Sequence, residues 1–62
     1  MLNKGDIVKV PQNTFWETLS GLKGVVINVR PKIECYTVEF TMESGQKQIF
    51  TMGFEEVELA QP

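Results

Sequence analysis

Cys35-Tyr36-Thr37-Val38-Glu39-Phe40-Thr41-Met42 is the stretch on which the fold turns. Tyr36, Val38, Phe40 and Met42 alternate without interruption with Cys35, Thr37, Glu39 and Thr41. A period of two places the first set on one face of a strand and the second on the other, so the segment reads as a half-buried β-strand. Just after it, Glu43-Ser44-Gly45 has the composition of a tight hairpin turn. Gln46 to Met52 is then expected to return as the partner strand.

Working outward, Val25-Val26-Ile27-Asn28-Val29-Arg30 forms an earlier strand, opened by Gly24 and closed by Pro31-Lys32. Strict alternation would put Val25, Ile27 and Val29 on one face and Val26, Asn28 and Arg30 on the other. Asp6 to Val10 is the first strand, stopped by Pro11, which has no N–H for a ladder. Gly53-Phe54-Glu55-Glu56 reads as a tight turn, or as one turn of 3₁₀ helix, before a short last strand, Val57 to Leu59. Ala60-Gln61-Pro62 reads as a frayed end. Seven Val, four Ile and five Thr against a single Ala agree with an all-β chain. The expected architecture is one domain over residues 1–62, a small five-stranded SH3-like barrel with one short 3₁₀ turn before the last strand.

Composition narrows the chemistry. The chain has 62 residues, a net charge of −2, one cysteine and no histidine. Without histidine there is no imidazole acid–base group, no Ser-His or Cys-His pair and no His-bearing metal site. One cysteine makes no internal disulfide. Cys35, with no cationic neighbour expected on its face, has nothing to activate it, and a free thiol suits a reducing cytoplasm. Glu55, Glu56 and Glu58 read as a solvated acidic rim, and Asp6 as a turn-former beside Gly5. The six Lys and Arg residues are scattered and outnumbered by eight acids. Phosphate binding needs concentrated positive charge, so nucleic acid is not the expected partner. No apolar run approaches the ~20 residues of a membrane span, and Met1-Leu2-Asn3-Lys4 leads toward a strand rather than a signal-peptide core.

Two features point to a partner. Phe15 and Trp16 stand side by side in the polar stretch from Pro11 to Gly21, and large aromatics of this kind anchor interfaces. Gln48-Ile49-Phe50 is the second: with Ile49 inward, Gln48 and Phe50 would face out together. The candidate partner-binding residues are therefore Phe15, Trp16, Gln48, Ile49 and Phe50, with no catalytic residue, metal or cofactor expected. A chain this short has a marginal core, which makes self-association an expectation beside a protein partner.

Two families resemble parts of the chain. Gly5-Asp6-Ile7-Val8-Lys9, Trp16, Tyr36-Thr37-Val38-Glu39, Gly45 and Gln48-Ile49-Phe50 resemble the plasmid-type (type II) dihydrofolate reductases. That resemblance implies a homotetramer whose pore, lined by Gln48, Ile49 and Phe50, holds folate and NADPH. Phe50 stands where that family has tyrosine, and Val10 where it has a pore lysine. Thr14-Phe15-Trp16, Gly24-Val25-Val26, Tyr36 to Phe40, Ser44-Gly45 and Phe54 to Val57 are similar to the small barrel protein of photosystem I that helps dock ferredoxin. This second resemblance implies an accessory barrel subunit of a photosynthetic electron-transfer complex. The leading expectation stays with the residues themselves: a non-catalytic, cytoplasmic binding or assembly module working through the aromatic loop.

Overall fold

The computed structural model describes residues 2–11 and 19–60. Its strands are β1 (Ile7–Lys9), β2 (Lys23–Arg30), β3 (Cys35–Thr41), β4 (Lys47–Gly53) and β5 (Glu58–Leu59). They form one antiparallel five-stranded sheet in the order β4-β3-β2-β1-β5. Among the described residues no ladder joins β4 to β5, so hydrogen bonding leaves the sheet open rather than closed into the expected barrel.

β3 follows its sequence pattern. Tyr36, Val38 and Phe40 are buried, while Thr41 on the opposite face is exposed. They join Val8, Val10, Leu19, Val26, Met52 and Val57 in the core, with Val29, Met42, Phe50 and Phe54 packed against it. The hairpin forms where Glu43-Ser44-Gly45 predicts it. Met42 N–H donates to the Gln46 carbonyl and Gly45 N–H to the Met42 carbonyl, each at 2.8 Å. Gly45 takes φ +89, a left-handed value that glycine adopts without a Cβ penalty. Asp6 orders the first turn as expected, its carboxylate accepting the Asn3 N–H at 2.8 Å.

Three expectations are corrected. In β2 a bulge interrupts the alternation: Val26 pairs with Val38 and Asn28 with Thr37, which leaves Ile27 as the extra residue. One inserted residue flips the phase. Val26 therefore faces the core before the bulge, and Val29, opposite Tyr36, faces it afterwards. The second correction is in β4, where Ile49 is 58% exposed and Phe50 and Met52 turn to the core. A one-residue change of phase exchanges the faces of a strand, and the pairing of Val38 with Phe50 settles it.

The third concerns the 3₁₀ turn, which spans Pro31–Ile33 between β2 and β3 rather than preceding β5. Pro31 presets the φ that opening position needs. The 53–56 segment takes the other form expected of it, a tight turn in which Glu56 N–H donates to the Gly53 carbonyl at 2.9 Å. Glu34 ends the 3₁₀ turn in the left-handed region at φ +53, where a side chain is strained. Glu34→Gly is expected to relieve that strain at some cost in unfolded-chain entropy. The net gain is about 0.5–1 kcal/mol, read as a rise in Tm of about 3–6 °C.

Candidate functional site

Of the five residues proposed for partner binding, Phe15 and Trp16 lie outside the described residues. The chain on either side of them is well anchored. Val10 and Leu19 are both buried to 1% exposure. Gly21 N–H donates to the Val10 carbonyl at 3.2 Å, and Val10 N–H to the Leu22 carbonyl at 3.4 Å. Val10 and the 19–22 segment, on either side of the two aromatics in sequence, are thus pinned together as one base.

Gln48, Ile49 and Phe50 do not act as one outward patch. Gln48 lies opposite Phe40 and Phe50 opposite Val38, and facing residues of an antiparallel pair share a side. Both are therefore on the core side of the sheet. Gln48 is exposed there at the open rim, while the Phe50 ring meets Phe40 edge-on at a centroid separation of 5.9 Å. Ile49 alone stands on the outer face. The register aligns it with Glu39, Val25 and Ile7 in one row across four strands, and Ile7 is 44% exposed.

The next row on that face gathers charge. Lys9 lies opposite Lys23, and Lys47 opposite Thr41. Lysines that look scattered along the chain thus share one end of the outer face. Two of them have acidic company: Lys9 Nζ is 3.6 Å from Glu58 and Lys47 Nζ 3.8 Å from Glu39. The strand order creates this row. Alternation alone hints at each lysine's face but not at their adjacency.

The acidic rim resolves into separate roles. Glu56 Oε1 accepts the Gly53 N–H, closing the turn before β5, and Glu58 serves the Lys9 pair. Glu34, Gly53, Phe54, Glu55 and Glu56 border an open depression of about 490 Å³. A second, more apolar one of about 330 Å³ lies among Arg30, Pro31, Lys32 and Ile33. No cluster of three or more potential metal ligands occurs among the described residues. Cys35 is half-buried with its thiol donating to the Ile33 carbonyl at 3.3 Å. Arg30 is its cross-strand neighbour, against the expectation of no cation on that face. No family model matches the chain, and neither does any curated protein or solved structure.

Proposed function

We propose that the chain is a small, non-catalytic SH3-like module of the cytoplasm that binds a protein partner through Phe15 and Trp16, with no cofactor. The observation that carries this reading is the pinned base. Burial of Val10 and Leu19 and the two backbone bonds beside them hold both ends of the aromatic stretch to the core. An anchor presented from a fixed base loses less conformational freedom on binding than one on a free tail. Ile49 supplies a further apolar contact from the outer face of the sheet, and Gln48 with Phe50 lines the rim of the core side.

Trp16→Ala tests the reading. The far-ultraviolet circular dichroism and thermal midpoint should stay as in the parent chain, while capture of a defined partner by the immobilised protein falls by tenfold or more, about the effect of losing an aromatic hot spot. Unfolding of the variant would make Trp16 a core residue and overturn the proposal. Titration with NADPH separates the reductase reading: saturable quenching of Trp16 fluorescence would favour it over a binding module.

A further inference from the structure

The sheet has two edges of unequal length. β5 is only two residues long, and brevity is a common protection for an edge. β4 runs for seven residues and pairs with β3 at all seven positions without a register shift. It contains no proline, and Lys47 is its only charge.

The hairpin reveals which β4 groups face outward. The Met42 N–H to Gln46 carbonyl bond marks that pair as a hydrogen-bonded one. Hydrogen-bonded and non-hydrogen-bonded pairs alternate along an antiparallel ladder. The bonded pairs that follow are Phe40–Gln48, Val38–Phe50 and Tyr36–Met52. At the far end Phe54 N–H donates to the Glu34 carbonyl at 2.9 Å, in phase with this count. The N–H and C=O of Lys47, Ile49, Thr51 and Gly53 therefore point away from β3. Glu56 occupies both groups of Gly53, accepting its N–H through Oε1 at 2.6 Å and donating to its carbonyl at 2.9 Å. The open template is the segment 47–51, centred on Ile49. No described residue hydrogen-bonds to its outward groups.

We propose that the β4 edge pairs antiparallel with the β4 edge of a second copy of this chain about a two-fold axis at Ile49. The inference is independent of the Phe15/Trp16 reading. In this register Ile49 faces its own copy and Lys47 faces Thr51, so each outward N–H and C=O of the segment finds a partner. The two Lys47 residues fall at opposite ends, where they do not oppose each other. Glu56 stays outside the paired segment, because the register needs nothing beyond Thr51. The two Ile49 side chains meet on the outer face and join the Ile7–Val25–Glu39–Ile49 rows of both copies into one. A foreign extended peptide gains specificity from side-chain pockets beside the edge. The two depressions described lie instead at residues 30–33 and at Glu34 with residues 53–56, away from the template. Self-complementarity is thus what the segment offers, an isologous contact.

Sedimentation equilibrium of the full chain from about 10 µM to about 1 mM should show a monomer–dimer equilibrium, the range being that of small interfaces. Ile49→Pro removes an outward N–H and takes no bond from β3, so it is expected to fold and to weaken dimerisation by at least about tenfold. Ile49→Lys sets two like charges face to face and should act in the same direction even if the proline variant fails to fold. Amide exchange of Ile49 and Thr51 should slow with rising protein concentration. A parent chain that stays monomeric at the highest concentration overturns the proposal. So does a dimer that a folded Ile49 variant leaves intact, or one whose concentration-dependent protection falls elsewhere.

Discussion

Phe40→Ala is expected to leave the chain without a cooperative thermal transition at room temperature. Phe40 is fully buried, flanked by Gly24 on β2 and Gln48 on β4, with the Phe50 ring edge-on against it. Truncating a core phenylalanine costs about 3–5 kcal/mol through lost burial and the cavity left behind. A domain of 62 residues has a total stability of roughly 3–9 kcal/mol at the usual value per residue. The loss is therefore comparable with the whole of what holds the fold, all of it at the lower end of that range and about a third or more at the upper end. Circular dichroism against urea measures it: a folded Phe40→Ala with a midpoint near the parent's would mean that the core is not centred on this ring.

The second large effect is expected at Gly24. A Cβ there would lie 2.7 Å from Val38 Cγ1 and 2.9 Å from both Phe40 Cδ1 and Cε1. Those atoms belong to fully buried side chains, so relief requires moving the core rather than a free side-chain end. Gly24→Ala should destabilise by about 1–3 kcal/mol, although alanine ordinarily suits a strand no worse than glycine. A double variant with Val38→Ala tests the cause, because it removes the nearest methyl. The two changes should together cost less than the sum of their separate effects, whereas additivity would place the cost of Gly24→Ala somewhere other than this contact.

Much of the architecture is legible in the amino-acid sequence. β3 and its hairpin can be read residue by residue, since unbroken alternation admits one assignment of faces and Gly45 has the φ the turn needs. β2 is harder. Two adjacent valines suit either face, and the bulge at Ile27 depends on how β2 meets β3, a relation between strands that neither strand's own pattern contains. β4 is ambiguous for a related reason: Ile49 and Phe50 are both apolar, so hydrophobicity does not choose between them. The pairing of Val38 with Phe50 does. The candidate site divides the same way, with Phe15 and Trp16 conspicuous in sequence and Gln48, Ile49 and Phe50 split between two sides of the sheet.

The amino-acid sequence by itself determined that this is an all-β chain of short antiparallel strands, that it lacks imidazole chemistry, and where its hairpin turns. Those properties are local, set by alternation, by turn residues and by which side chains are present. The tertiary structure alone decided that Ile7, Val25, Glu39 and Ile49 form one row, that Lys9 and Lys23 become neighbours, and that the outward backbone groups of Lys47, Ile49 and Thr51 lie along a sheet edge with no ladder partner among the described residues. These are properties of strand order and register. They arise when residues far apart in sequence are brought opposite one another, and no single strand's pattern encodes its neighbour.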